Sequence, residues 1–310
     1  MKPKSNSSKK TRGNPFFVIG REAEADKMRS CLSARKNLLL EGPVGVGKTH
    51  LALAVTRELG LPVYRIDGDS RYTEQKMSGW FDPPMVIRKG FVKEAFIPGP
   101  LVEAMQRGGV LFINELNRLP EGVQNVLLPA IDERILSIPR LGTVRAAQKF
   151  LVIATQNPKE FVATSHLSEA ILDRFELVKL DYQKEQEEFA IVSRLLGESG
   201  PAEGRRLALA AVRMARITRE HPRVRRGASI RAAISTAEIT TALLRRGTPF
   251  EEAFLTAVLM AFPTRIEIER EADSELPLDL ELEELLKEWV AAVLESLKSE
   301  PGPNGLKKKR

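Results

Sequence analysis

Short apolar bursts punctuate the first half of the chain. Leu38-Leu39-Leu40 reads as a buried strand, and four further runs follow at Pro62–Ile66, Gly109–Ile113, Phe150–Thr155 and Phe175–Leu180. The Gly109–Ile113 run is nearly continuous in apolar residues, as expected of a strand covered on both faces. Helical or looped segments separate successive runs, with helical spacing from about Arg21 to Ser33 and from Leu51 to Leu59. Strands alternating with helices predict an α/β fold, a parallel sheet with helices on both faces.

From about Tyr182 onward the strand signal stops. Helical patterns occupy Glu185–Leu196, Arg205–Arg219, Ser229–Arg245 and Phe250–Ala261, broken at Gly200-Pro201, His221-Pro222 and Gly247-Thr248-Pro249. Leu282, Leu285, Leu286, Trp289, Val293 and Leu297 then form a stripe at helical spacing, predicting a last amphipathic helix that packs into a core. No internal repeat is present. The expected plan is an α/β domain over 14–181 and a small all-α domain over 182–298, flanked by tails at 1–13 and 299–310.

Between the first strand and its helix stands Gly42-Pro43-Val44-Gly45-Val46-Gly47-Lys48-Thr49, a complete G-x-x-x-x-G-K-[ST] loop in the strand–loop–helix context it requires. Its glycines let several N–H groups converge on one anion, and the helix N-terminus adds partial positive charge. The segment Gly42, Pro43, Val44, Gly45, Val46, Gly47, Lys48, Thr49 and His50 is therefore expected to hold a nucleoside triphosphate. Lys48 would reach the β- and γ-phosphates, and the Thr49 hydroxyl would ligate Mg²⁺.

Composition narrows the rest. With 310 residues, 43% of them hydrophobic, the chain can bury a full core and is expected to form two domains. No apolar run reaches the roughly 18 residues of a membrane span, and the polar, basic start is no secretory signal. Cys31 is the single cysteine, which rules out an internal disulfide and fits a reducing compartment, the cytoplasm. Three scattered histidines and one cysteine offer no metal-ligand cluster, so the side chains of Cys31, His50, His166 and His221 read as structural. The net charge of +7 is concentrated in the tails: Lys2, Lys4, Lys9, Lys10 and Arg12 at one end, Lys307, Lys308, Lys309 and Arg310 at the other. Residues 14–300 are left at −2, which argues against a nucleic-acid-binding body.

The third strand ends Phe112-Ile113-Asn114-Glu115. In phosphate-loop ATPases two carboxylates normally stand here, one serving the metal and one polarising the attacking water. Glu115 suits the second task, since a carboxylate at a strand's C-terminal end points into the ligand crevice. Asn114 departs from the pattern: its oxygen can accept from Thr49 or a metal-bound water, but it brings no charge.

Together the phosphate loop, Asn114-Glu115-Leu116-Asn117-Arg118, Thr155-Gln156-Asn157-Pro158 and Leu167-Ser168-Glu169-Ala170-Ile171-Leu172-Asp173-Arg174-Phe175 resemble the MoxR-type AAA+ ATPases. The resemblance runs in unbroken order from about Val18 to at least Ile234. It implies a P-loop NTPase domain followed by a helical lid, with Mg²⁺ and ATP bound. By that resemblance Asn157 is sensor 1, Arg174 the arginine finger that reaches a neighbour's ATP, and Arg231, in Gly227-Ala228-Ser229-Ile230-Arg231, sensor 2. Val18-Ile19-Gly20 resembles the segment that packs on adenine. Trp80–Ile97, closed by Phe96-Ile97-Pro98-Gly99-Pro100, is similar to the family's helix-2 insert, and Arg134–Lys149 to the hairpin before sensor 1. Both mix apolar and basic residues, which suits gripping a protein segment as well as packing as a loop. The role of Arg118 is not legible from sequence.

The resemblance further implies a homo-hexameric ring that couples Mg-ATP hydrolysis to remodelling or maturation of a partner protein. It often involves a von Willebrand factor A-domain protein and activation of a metalloenzyme. Two other readings compete. Asn114 motivates a low-turnover, nucleotide-gated scaffold, and kinship with helix-2-insert ATPases that move on DNA motivates nucleic-acid remodelling.

Overall fold

All five apolar runs of the first half become strands, and all five run the same way. They are β1 (Leu38–Glu41), β2 (Val63–Asp67), β3 (Val110–Asn114), β4 (Leu151–Gln156) and β5 (Glu176–Lys179), in the spatial order β2-β3-β4-β1-β5. The computed structural model describes residues 18–157, 167–197, 203–270 and 276–298. The expected terminal tails and His166 lie outside the described residues.

The described residues divide into two compact units. Residues 47–180, with those up to Gly42, form one, while Pro43–Val46 and the residues from Asp181 onward form the other. In the first, successive strand residues point to opposite faces of the sheet. Leu39, Leu111, Ile113 and Val152 are buried on one face, and Leu38, Leu40, Phe112 and Ile153 on the other. Burial of both sets means both faces are covered, which is why β3 carries apolar residues without alternation. The helices of this unit include α1 (Glu22–Ser33), α2 (Lys48–Glu58) and α3 (Pro100–Arg107). Leu101 and Met105 of α3 join the core of the first face, and α2 buries Leu51, Ala52 and Val55.

Two small antiparallel pairs decorate this unit. Gly79–Phe81 pairs with Phe96–Pro98, and Ile135–Ile138 forms a hairpin with Gly142–Arg145. In the first, Phe81 packs edge-on against Phe91 and Phe96, at centroid distances of 5.1 and 5.3 Å. The Arg140 guanidinium of the hairpin stacks over Phe91 at 3.9 Å, so the two decorations are joined by a cation–π contact.

The second unit is built on α4 (Glu185–Leu196), α5 (Gly204–Glu220), α6 (Ile230–Arg245), α7 (Phe250–Ala261) and α8 (Leu278–Lys298). Ser229 caps α6, its hydroxyl accepting from the Arg231 N–H. The apolar stripe of the last helix lies in the core beside Leu207, Met214, Phe254 and Val258. The expectation of no strand after Tyr182 is corrected: Val224–Arg226 pairs antiparallel with Glu267–Ile268. Strands of three and two residues are too short to show alternation, and their partners lie some forty positions apart in the chain. Glu188 is buried here, 3% exposed, between Arg219 at 2.7 Å and Arg216 at 3.5 Å. Arg219 is clasped further by the Ala228 carbonyl at 2.7 Å and by the Tyr182 ring at 4.0 Å. Burial pushes the Tyr182 phenol above its ordinary pKa.

Candidate functional site

Because the five strands are parallel, their C-terminal ends open along one edge of the sheet. The strand order places β4 between β1 and β3. Gly42 and Gly47–Thr49, which flank the loop after β1, Asn114 and Glu115 at the end of β3, and Gln156 and Asn157 at the end of β4 therefore converge. The register is close: Thr155 stands level with Leu40 of β1 and Ala154 with Ile113 of β3. Distant segments of sequence are brought together by hydrogen-bonded sheet geometry alone.

The loop turns through Gly45 (φ +79°) and Gly47 (φ +91°), the latter serving as the N-terminal cap of α2. Both are left-handed conformations that a side chain disfavours. Lys48 folds back so that its ammonium donates to the Gly42 carbonyl at 2.6 Å. His50 is exposed in the first turn of α2, and Val18 and Ile19 are half-buried ahead of α1.

Thr49 and Asn114 are joined directly. The Thr49 hydroxyl donates to Asn114 Oδ1 at 3.0 Å, and the Thr155 hydroxyl donates to the same oxygen at 3.1 Å. The same Thr155 oxygen accepts the Glu115 backbone N–H at 2.9 Å on a lone pair. The amide nitrogen of Asn114 donates to Asp67 Oδ1 at 3.1 Å. Its orientation is fixed by chemistry, since an ionised carboxylate can only accept. Thr49, with its proton committed to Asn114, keeps oxygen lone pairs for another ligand.

Asp67 ends β2, level with Asn114 in the register. The Arg65 guanidinium, two residues earlier on the same face, donates to it at 2.7 to 3.1 Å. Those hydrogen bonds, outweighing partial burial and aided by the Arg65 charge and the Asn114 amide, hold the Asp67 carboxyl below its usual pKa. Gly68 follows and packs against the end of β3, its N–H donating to the Asn114 carbonyl at 2.7 Å.

Glu115 adopts a left-handed backbone, φ +60° and ψ +59°, a conformation that costs a non-glycine residue about 1–2 kcal/mol. Such strain concentrates where a side chain must be aimed. Its carboxylate pairs with Arg118 at 3.0 Å, giving Arg118 the partner that sequence alone could not supply. Gln156 bridges to Glu41 at 2.6 Å across β4 and β1, and Asn157 is buried just beyond β4.

The structure does not bring Arg174 to this cluster. Its guanidinium pairs with Asp132 at 2.6 Å and donates to the Ala170 carbonyl. Arg231 belongs to the second unit, exposed in the first turn of α6. Sequence reading missed Asp67, Gly68, Thr155 as a hydrogen-bonding hub, and Asp132. The only signal for Asp67 and Gly68 was an Asp-Gly pair closing a strand, which any turn would also show.

The donor set suits a magnesium–nucleotide complex. Among the described residues no group of three His, Cys, Asp or Glu side chains is placed to hold a metal. Mg²⁺ in nucleotide sites is held mainly by phosphates and waters with one or two protein oxygens, and the Thr49 hydroxyl backed by Asn114 provides such an oxygen. Among the described residues no helix is long and apolar enough to cross a membrane.

Residues 37–175 match the family model of the AAA domain, dynein-related subfamily. The chain is 32% identical over 183 residues to gas vesicle ATPase GvpN2 of Halobacterium salinarum, covering 54% of this chain and 53% of that protein. It is 30% identical to gas vesicle ATPase GvpN of Haloferax mediterranei, over 68% of this chain and 64% of that one. Protein NorQ of Paracoccus denitrificans is 28% identical, with 86% of this chain and 96% of that protein covered. The chain spans just over half the length of GvpN2 and a little under two thirds of that of GvpN. The Thermotoga maritima RuvB Holliday junction branch migration motor shares the fold, with a TM-score of 0.52 at 20% identity, over 78% of this chain and 70% of that one.

Proposed function

We propose that the chain, as a MoxR-type AAA+ ATPase, binds Mg-ATP at the loop after β1, hydrolyses it, and uses the cycle to remodel or mature a partner protein. The observation that carries this reading is the seam from Thr49 through Asn114 and Thr155 to the Glu115 backbone. It ties the phosphate loop to the carboxylate that would act on water.

In this reading Lys48 leaves the Gly42 carbonyl for the β- and γ-phosphates, and Thr49 with Asn114 holds Mg²⁺, which when bound neutralises charge on the phosphates. Glu115 accepts a hydrogen bond from the attacking water and orients it. Asn157 is a neutral donor to the γ-phosphate or that water. Arg231 answers to nucleotide occupancy from the second unit, and Val18 and Ile19 pack on adenine. Arg174 completes the site of a neighbouring subunit, placing positive charge where negative charge develops. The assembly is a homo-hexameric ring, and the chain acts in the cytoplasm. Names such as gas vesicle ATPase support an ATPase role. A von Willebrand factor A-domain partner and metalloenzyme activation are the finer form of the proposal.

A finger supplied in trans makes turnover depend on assembly. Specific ATPase activity is expected to rise with protein concentration and to fall on the order of 10³-fold or more in Arg174→Ala, with nucleotide affinity kept. A concentration-independent rate that survives the substitution refutes the ring-coupled mechanism. One observation favours the low-turnover scaffold: Glu115 is paired with Arg118, so the carboxylate is engaged until that pair opens. Tight ATP binding without phosphate release at any protein concentration is the outcome that would support it.

A further inference from the structure

The strand that ends in two carboxylates in most phosphate-loop ATPases ends here in Asn114 and Glu115, one charge short. The neighbouring strand supplies a charge at the same level. Asp67 stands opposite Asn114 in the β2–β3 register, and its Oδ1 receives the Asn114 amide at 3.1 Å. On the other side of that amide, Oδ1 of Asn114 receives Thr49 at 3.0 Å. A continuous chain of hydrogen bonds thus runs from the Asp67 carboxylate through one side chain to the candidate metal-binding hydroxyl.

We propose that Asp67 is a positioning residue for the cation: it supplies, through Asn114, the negative charge that the end of β3 lacks. The inference rests on the Mg-ATP reading above. A carboxylate accepting from the amide nitrogen polarises the amide and increases negative charge on its oxygen. That oxygen then accepts more strongly from Thr49 and enriches the lone pairs left for the metal. The same geometry explains the residue type at 114. An aspartate there would set two carboxylate oxygens about 3 Å apart, where like charges cannot both ionise without cost. Asparagine converts that repulsion into a hydrogen bond and leaves the charge one strand away.

Arg65 takes part as the counterweight. It binds Asp67 from the same strand at 2.7 Å, fixing the carboxylate's rotamer so that one oxygen faces Asn114. Both side chains are about half exposed, so the ion pair contributes little to folding stability. Its effect is on where the charge points.

The test is a magnesium titration of nucleotide binding, read calorimetrically on the full-length chain and compared with binding in EDTA. Asp67→Asn is expected to weaken apparent Mg²⁺ affinity about 10-fold or more while leaving affinity in EDTA and the thermal melt unchanged. The charge-relocated double variant Asp67→Asn/Asn114→Asp is expected to recover most of the loss, which no purely structural role of Asp67 would produce. Asp67→Asn with wild-type magnesium dependence overturns the proposal, as does a folded double variant that recovers nothing. If the wild-type chain binds ATP equally with and without Mg²⁺, the Mg-ATP reading itself falls and this inference with it.

Discussion

Gly68 offers the most direct test of how the end of β2 positions the end of β3. A Cβ at this position would lie 2.1 Å from the Glu115 carbonyl oxygen, 3.0 Å from its carbonyl carbon and 3.1 Å from the Asn114 carbonyl oxygen. An ordinary carbon–oxygen contact is about 3.3 Å or longer, so Gly68→Ala must open roughly 1 Å between two backbones. Neither side is the flexible end of a side chain, and the Gly68 N–H to Asn114 carbonyl bond at 2.7 Å resists the separation. If the two strands share the shift, Glu115 moves by about half an ångström. A misplacement of about 1 Å costs on the order of 100-fold in rate, so kcat is expected to fall about 10- to 100-fold. Overpacking should cost about 1–3 kcal/mol of stability, or about 2–4 °C of melting temperature per kcal/mol. Nucleotide affinity in EDTA should hold, because the phosphate loop is not displaced. The assay is steady-state phosphate release beside nucleotide titration and thermal melting. Gly60→Ala is the control: its φ is +65° with no heavy atom within 4 Å of the added carbon. It should lose about 1–2 kcal/mol to left-handed strain and keep its turnover. Wild-type kcat in Gly68→Ala, or an equal loss in both variants, refutes the reasoning.

Thr155 is fully buried and bonded to both Asn114 and the Glu115 N–H. Thr155→Val should therefore cost about 1–3 kcal/mol in chemical denaturation and lower turnover, whereas Thr155→Ser should retain both. In the second unit, Glu188→Ala leaves Arg219, 8% exposed, without its carboxylate. Breaking a buried pair from one side costs about 3–5 kcal/mol. Denaturant unfolding should show that loss, and a change under 1 kcal/mol would mean that water already screens the pair.

The five strands of the sheet, helices α1 and α2, and the main helices of the second unit were legible in the sequence because each depends on local pattern. A run of Leu, Val, Ile and Phe between turn residues reads as a strand wherever it stands, and the stripe from Leu282 to Leu297 reads as a helix face. The phosphate loop was legible for a related reason. Its chemistry is made by eight consecutive residues, and Gly45 and Gly47 stand where left-handed backbone is required. The Val224–Arg226 and Glu267–Ile268 pair was not legible, because strands so short are defined by the partner alone.

The chemistry at the sheet edge divides the same way. Sequence placed Asn114 and Glu115 at the end of a strand and left the missing charge unexplained. It could not place Asp67 beside Asn114, because that neighbourhood is created by strand order and register across 47 residues. The clasp of Arg118 on Glu115, the pairing of Arg174 with Asp132, and the press of Gly68 on β3 are likewise facts of approach in space. Local composition and periodicity determined which elements form and where the phosphate loop lies. Only the tertiary structure decided which side chains share a hydrogen bond, because hydrogen bonds and like-charge repulsion act over a few ångströms, a distance that sequence separation does not measure.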